Sequence, residues 1–178
     1  MVYVLMVDGF EDIEAIEPVD IMRRAGISVK TVGVTSKKVT SSHNITIETD
    51  IQISDVVKED IKMLVLPGGP GHTNLDESKE VQSLITYAQD NGIYIGAICA
   101  SPSILGKRGI LDGKNYTCFP SFEKFAPKGL LSKEKAVLDG KILTARGAGA
   151  AADFGFMMVE ILKGKDISEN LKKEMQYI

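Results

Sequence analysis

The sequence predicts an α/β protein in which a mostly parallel sheet lies between two layers of helices. Segments rich in apolar, strand-forming residues occur at residues 2–7, 28–34, 62–66 and 93–98, and such segments are typical of strands buried in a parallel sheet. Segments with the spacing of helices separate them. Strands that alternate with helices along the chain indicate a parallel sheet with helices on both faces.

The first helix is predicted over residues 11–25, directly after the first strand. Ile13, Ile16 and Met22 recur at helical spacing, while acidic residues fill the first turn and arginines the last. This distribution of charge suits the helix dipole. Pro18 lies inside the segment and predicts a kink or a local break, because proline lacks the N–H that an inner turn needs.

The remaining elements follow the same alternation. Residues 38–53 alternate apolar and polar side chains, which predicts a small antiparallel excursion, and an Asp-Gly turn predicts a hairpin over residues 135–145. Ser101, followed by a proline, is expected to cap a short helix. Further helices are predicted over residues 78–91, 101–108, 149–163 and 166–176.

Length and composition favour one globular domain that spans residues 1–178. The chain has 21 basic and 24 acidic residues, a net charge of −3, and 44% hydrophobic residues, as ordinary soluble globular proteins do. A chain of this length buries roughly 70% of its unfolded surface, so its core needs neither a disulfide nor a metal.

The composition and the lengths of the apolar segments also argue against several classes of protein. No apolar segment approaches the ~18 residues of a membrane span, and the start of the chain lacks the basic region and cleavage site of a signal peptide. The acidic pI of ≈ 5.5 argues against nucleic-acid binding. Two cysteines and two histidines provide no disulfide framework and no zinc site. We therefore expect a cytoplasmic protein without membrane or nucleic-acid partners and without a metal or another cofactor.

Three segments reach the edge of the sheet at which α/β proteins bind ligands. Each follows a predicted parallel strand, and ligands of open α/β sheets bind beyond the carboxyl ends of the strands. Together the segments supply one thiol, a glycine-rich loop and several carboxylates. They are residues 8–14, 68–74 and 99–101.

Cys99 is the candidate nucleophile at this edge. It lies at a turn from a buried strand into a helix, which exposes the side chain and where helix amides favour the thiolate form. The backbone amides of Gly69 and Ala100 are candidates for an oxyanion hole. Position alone fits equally well a small buried hydrophobic residue, since free cysteine is often buried.

Glu14 is the candidate general acid and base. In a crowded, partly dry site its pKa rises, so the protonated carboxyl can donate a hydrogen bond to a thiolate and then move a proton. The alternative is that Glu14, like Glu11, Asp12 and Glu17, only complements the helix dipole. Position alone favours that alternative.

The other polar candidates carry weaker signals. The PGGPG segment lacks the spacing of a P-loop and of a dinucleotide-binding motif. Two arginines, Arg24 and Arg146, are expected at the surface or at an interface. The two histidines, His43 and His72, are expected in polar loops, and Cys118 is expected to be structural.

Four parts of the chain resemble the ThiJ/PfpI superfamily, in the branch that contains the parkinsonism-associated protein deglycase. They are GFEDIEAIEPVDIMRRAGI, KMLVLPGGPG, IGAICASPSIL, and KILTARGAG with DFGFMMVEILKGK, which follow the family's order from residue 9 to about residue 165. The succession of LPGG and AICASP is highly specific.

The resemblance implies a flavodoxin-like three-layer α/β/α sandwich and a homodimer. It also implies a cofactor-independent glyoxalase or deglycase that acts on small α-oxoaldehydes such as methylglyoxal. Cys99 matches the family's nucleophile, and Glu14 matches the carboxylic acid that bonds its thiolate. Gly69 and Ala100 match the two amides beside the sulfur, and Arg24 matches an arginine near the site and the dimer interface.

Departures from the family pattern argue against two activities found in the superfamily, those of peptidases and of glutamine amidotransferases. PfpI-type peptidases carry a histidine directly after the cysteine, where this chain has Ala100, and glutamine amidotransferases need a late histidine, which is absent after His72. Phe119 stands in the place of a histidine of the deglycase branch, and His43 in the place of a site arginine. These replacements predict differences in proton transfer and in anion affinity.

Two alternative functions stay open on the sequence. A reactive Cys99 also suits a redox-responsive stress or sensor protein, because an accessible thiolate oxidises to sulfenic and sulfinic acid. A role in the thiamine pathway, which the ThiJ name suggests, carries little weight because no thiazole phosphate site is recognisable.

Overall fold

The computed structural model of the protein describes residues 1–178. Its strands and helices, in chain order, are β1 (Val2–Met6), α1 (Asp12–Arg24), β2 (Val29–Gly33), β3 (Lys38–Thr40), β4 (Thr46–Glu48), β5 (Ile51–Gln52), β6 (Met63–Leu66), α2 (His72–Glu77), α3 (Lys79–Asp90), β7 (Tyr94–Ile98), α4 (Pro102–Lys107), β8 (Asn115–Tyr116), β9 (Leu130–Leu131), β10 (Ala136–Asp139), β11 (Ile142–Ala145), α5 (Ala151–Lys163) and α6 (Lys165–Glu174).

Seven strands form the central sheet, in the order β10-β11-β7-β6-β1-β2-β5. All neighbours in it are parallel except β10 and β11, which form the predicted hairpin. β3 and β4 form a separate antiparallel hairpin, and β8 pairs with β9. The structure therefore confirms the predicted α/β class with a mostly parallel sheet and small hairpin excursions.

The core consists of two layers, one on each face of the sheet. Alternate residues of β1 divide between them, because successive side chains of a strand point to opposite faces. Val2, Val4 and Met6 pack in the layer that contains α1 and α5, whereas Tyr3 and Leu5 pack in the layer that contains α3 and α4. Helices thus cover both faces, as the three-layer prediction requires.

Helix α1 continues through Pro18 without the predicted break. Pro18 is buried, and a Cβ placed on Gly155 of α5 would lie 3.2 Å from its Cα atom. The close packing of the two helices keeps the backbone helical at a position where the proline removes one hydrogen bond. This continuity matters for the site, because α1 carries Glu14 in its first turn.

Two other local predictions were wrong. Residues 51–52 do not continue the antiparallel excursion but pair in parallel with β2, Ile51 opposite Val32, and so extend the central sheet. The second wrong prediction placed His72 in a polar loop. The glycine-rich loop instead leads directly into α2, a six-residue helix that has too few turns to show an apolar period.

None of the six helices has both the length and the apolar character that crossing a membrane requires.

Candidate active site

The carboxyl ends of β1, β6 and β7 meet at one edge of the sheet. β6 lies between the other two, and Val65 is in register with Val4 on one side and with Gly96 on the other. The loop after β6 also touches the start of α1, since the Glu11 amide donates to the Gly68 carbonyl at 3.1 Å. The three predicted segments are therefore brought together.

Cys99 lies at the end of β7 in a strained backbone conformation. Its φ is +65°, in the left-handed region that non-glycine residues rarely adopt. Two hydrogen bonds hold it there: the Cys99 amide donates to the Ala145 carbonyl at 2.8 Å, and the Phe119 amide donates to the Cys99 carbonyl at 2.8 Å. The residue is half-buried.

Glu14 is buried beside the sulfur. Its side chain is only 1% exposed, and it shares a hydrogen bond with the Cys99 thiol. The Gly68 amide donates to Glu14 Oε2 at 3.0 Å. The structure therefore pairs the two residues that the sequence singled out, and it adds Gly68, whose amide was not among the two backbone amides predicted for the site.

Proton affinity is high in both members of this pair. Burial raises the pKa of Glu14 to about 7, although its hydrogen bonds with Cys99 and Gly68 act to lower this pKa. Burial raises the pKa of Cys99 to about 12, and the negative charge of Glu14 adds to this rise. Near neutral pH the thiol therefore keeps its proton, while Glu14 changes between its protonated and ionised forms.

Burial therefore opposes the thiolate form that a helix N-terminus would favour at Cys99. Helix α4 has only six residues, and Ser101 does not cap it. Instead, the Ser101 hydroxyl donates to the Pro67 carbonyl at 2.6 Å. The amides of Gly69 and Ala100 do bond the sulfur and lower its pKa, but burial outweighs them.

The loop after β6 has no room for a side chain at Gly68. A Cβ there would lie 2.5 Å from the Cys99 Cβ and would also overlap Glu14 Oε2. Real contacts of this kind are not seen, so any larger residue would displace the pair. A glycine is required here by close approach, a reason that the PGGPG sequence does not reveal.

Both arginines are exposed at the surface of the chain. Arg24 is exposed ten residues after Glu14, a rise of about 15 Å along α1, and its Nε donates to Asp20 at 2.7 Å. Arg146 is also exposed and lines a surface depression with Cys118 and Lys133. Cys118 itself is buried in the core layer of α3 and α4.

His43 lies at the start of α1 rather than against the sulfur. Its Nδ1 is 2.7 Å from Asp12 Oδ2, and the histidine side chain is 68% exposed. The hydrogen bond to Asp12 raises the pKa of His43. Glu11, Asp12 and His43 bring one possible ligand atom each within 4.8 Å of one another, an arrangement that this ion pair already explains.

His72 was expected in a polar loop, but it is the first residue of α2. Its Nδ1 lies 2.9 Å from the Gly69 carbonyl oxygen, so its ring stands beside the glycine-rich loop. Phe119 is exposed, and its ring lies near Gly147 at the rim of the site.

Comparison with known proteins shows the family of the chain. The sequence pattern of the DJ-1/PfpI family matches residues 1–161. The chain belongs to the DJ-1/PfpI family. Within the family, it is 33% identical to protein dj-1beta of Drosophila melanogaster over 174 residues, which cover 96% of this chain and 93% of the relative.

Other members of the DJ-1/PfpI family are similar over almost the full chain. A glutathione-independent glyoxalase, DJR-1.2 of Caenorhabditis elegans, is 29% identical over 167 residues, 93% of this chain and 89% of that protein. Among solved structures, a DJ-1 superfamily protein of Salmonella typhimurium superposes with a TM-score of 0.94 at 31% identity, over 99% of this chain and 98% of that one. The fold is therefore that of the DJ-1 structures.

Proposed function

We propose that the protein is a cysteine-dependent glyoxalase or deglycase that acts on small α-oxoaldehydes such as methylglyoxal without a cofactor. The observation that carries the proposal is the buried Glu14 carboxyl bonded to the half-buried Cys99 thiol, with two backbone amides beside the sulfur. A carboxyl that titrates near neutrality can both accept and donate a proton during turnover. The glyoxalase among the relatives supports the same class of substrate.

The first step forms a covalent adduct. The Cys99 sulfur attacks the aldehyde carbon, a C–S bond forms, and the carbonyl becomes the hydroxyl of a hemithioacetal. Glu14 accepts the thiol proton as the sulfur attacks, so that a free thiolate does not have to form first. The amides of Gly69 and Ala100 stabilise the developing oxyanion, which then takes this proton back from Glu14.

The second step moves a proton between two carbons. Glu14 removes the proton from the former aldehyde carbon and returns it to the neighbouring carbon, while the proton of the hemithioacetal hydroxyl passes to the ketone oxygen. The ketone thereby becomes an alcohol and the hemithioacetal a thioester. Water then cleaves the C–S bond and releases lactate and the thiol. The former aldehyde carbon is oxidised and its neighbour reduced, so no external oxidant or reductant is needed.

The test is lactate formation from methylglyoxal in the absence of glutathione. We expect the wild type to form lactate and both Cys99→Ser and Glu14→Gln to lose at least about 100-fold in rate, the usual contribution of a general acid–base residue. Cys118→Ser is the matched control, because it removes the other thiol, and it should retain activity. Consumption of methylglyoxal without lactate in the wild type would contradict the proposal.

A second candidate function is a redox sensor in which Cys99 becomes a sulfinic acid. The same two amides and a protonated Glu14 would stabilise sulfinate oxygens, and a solved relative from Toxoplasma gondii with 26% identity is described as oxidised. After mild peroxide, mass spectrometry should find two added oxygens on Cys99 and none on buried Cys118. Equal oxidation of both thiols would count against a sensor.

A further inference from the structure

Phe119 places an exposed aromatic ring at the rim of the candidate site. The side chain is 47% exposed, although an aromatic ring of this size normally gains free energy from burial. Its backbone amide is bonded to the Cys99 carbonyl at 2.8 Å. The position of the ring relative to the nucleophile is therefore fixed through one short backbone link.

The ring and the Glu14 carboxyl face the same small space over Gly147. A Cβ placed on Gly147 would lie 3.4 Å from Phe119 Cδ2 and 4.0 Å from Glu14 Oε1. The Phe119 ring and the Glu14 carboxyl therefore approach Gly147 within 4.0 Å of the same point. Since Glu14 is also the neighbour of the Cys99 thiol, the ring belongs to the surroundings of the nucleophile.

A row of aromatic rings supports Phe119 from behind. Its ring meets Phe122 edge-on, with centroids 6.4 Å apart at 74°, and Phe122 meets His72 edge-on at 5.2 Å and 81°. Phe125 packs on the other side of Phe122 at 6.0 Å. Phe122, backed by Phe125 and His72, supports the Phe119 ring from one side and leaves its exposed part free to contact a ligand.

We propose that Phe119 is a selectivity residue that favours electrophiles with an aryl or another flat apolar group next to the reacting carbon. This inference rests on the proposed function, because it names the class of α-oxoaldehyde, an aryl glyoxal, that the same site prefers. The ring can stack on such a group, whereas the methyl group of methylglyoxal covers little of it. One aromatic contact of this kind changes a rate by about fivefold.

Thiol alkylation tests the ring independently of turnover. Iodoacetamide and its N-phenyl derivative have the same reacting carbon and differ only in the aryl group. We expect Cys99 of the wild type to favour the phenyl reagent, and this preference to fall about fivefold in Phe119→Ala. Phe119→Tyr should keep the preference. Val57→Ala, which truncates another exposed apolar side chain (48% exposed), is the matched control, and Cys99→Ser corrects for Cys118.

Turnover then tests the substrate class. The ratio of kcat/KM for phenylglyoxal to that for methylglyoxal should fall about fivefold in Phe119→Ala and stay unchanged in Val57→Ala. If neither aldehyde yields a Cys99-dependent product, the proposed function fails, while a changed alkylation preference still supports the role of the ring. Unchanged preferences in Phe119→Ala overturn the inference, and so does a change in oligomeric mass, which would make the ring an interface residue.

Discussion

Glu14 is the residue whose chemistry depends most on its surroundings. The same carboxyl in a solvated first turn would be ionised at neutral pH, and only burial beside the thiol raises its pKa to about 7. The sequence could place Glu14 at the right edge of the sheet, but its burial depends on contacts from residues 68 and 99. Sequence position alone therefore favoured the surface role.

The raised pKa of Glu14 makes the stability of the protein depend on pH. The folded state binds this proton more tightly than the unfolded state, whose Glu14 has a pKa near 4.5. The contribution of Glu14 to stability is complete below pH 4.5 and is lost as the pH rises to about 7, for a total of about 3 kcal/mol. Urea unfolding of the wild type and Glu14→Gln at several pH values measures it.

The comparison with Glu14→Gln isolates this residue, because all other titrating groups are shared by the two proteins. We expect the difference between their free energies of unfolding to shift in favour of the Gln variant between pH 4.5 and 7. A difference that stays constant over this interval would show that Glu14 titrates normally.

The loop between β6 and α2 depends on its glycine at residue 68. In Gly68→Ala, the new methyl group would overlap Cys99 and Glu14, so we expect a loss of roughly 1–3 kcal/mol of stability from overpacking and slower alkylation of Cys99. Urea unfolding measures the first effect. Gly149→Ala is the matched control, since nothing lies within 4 Å of a Cβ at that glycine. Similar losses in both variants would refute the steric argument.

Most elements could be predicted from the sequence because their apolar periods are long. The strands β1, β6 and β7 and the helices α1, α3, α5 and α6 all lie close to the predicted segments. Two short elements were misjudged, because β5 and α2 have too few residues to show a period. The helix cap predicted at Ser101 was also wrong, because the Ser101 hydroxyl donates to the Pro67 carbonyl in the loop after β6 and not to its own helix.

Helix α1 exposes apolar side chains, and these concern the oligomeric state of the whole molecule. Ile13 and Ile16 are 49% and 41% exposed, on the side of the helix that faces away from the core. Exposed apolar side chains of one helix favour contact with another molecule, in agreement with the homodimer that the family resemblance implies. We propose that this face of α1 lies in the dimer interface.

A dimer has twice the 19.3 kDa mass of the chain, which sedimentation equilibrium resolves. We expect the wild type to sediment as a dimer and Ile16→Glu to shift towards the monomer, because a buried unpaired charge is costly. Val57→Glu places the same charge on another exposed apolar position and should leave the mass unchanged. A wild type that sediments as a monomer would rule out the dimer.

The hydrogen bond from the Cys99 amide to Ala145 has a consequence for synthesis on the ribosome. The strained turn at Cys99 needs β11, and β11 emerges only after four-fifths of the chain has been made. Until then, the sheet lacks a strand beside β7, and the Cys99 amide lacks its acceptor. Although Glu14 and Gly69 precede Cys99 in the chain, we expect the backbone conformation of the nucleophile to be fixed only when translation is nearly complete.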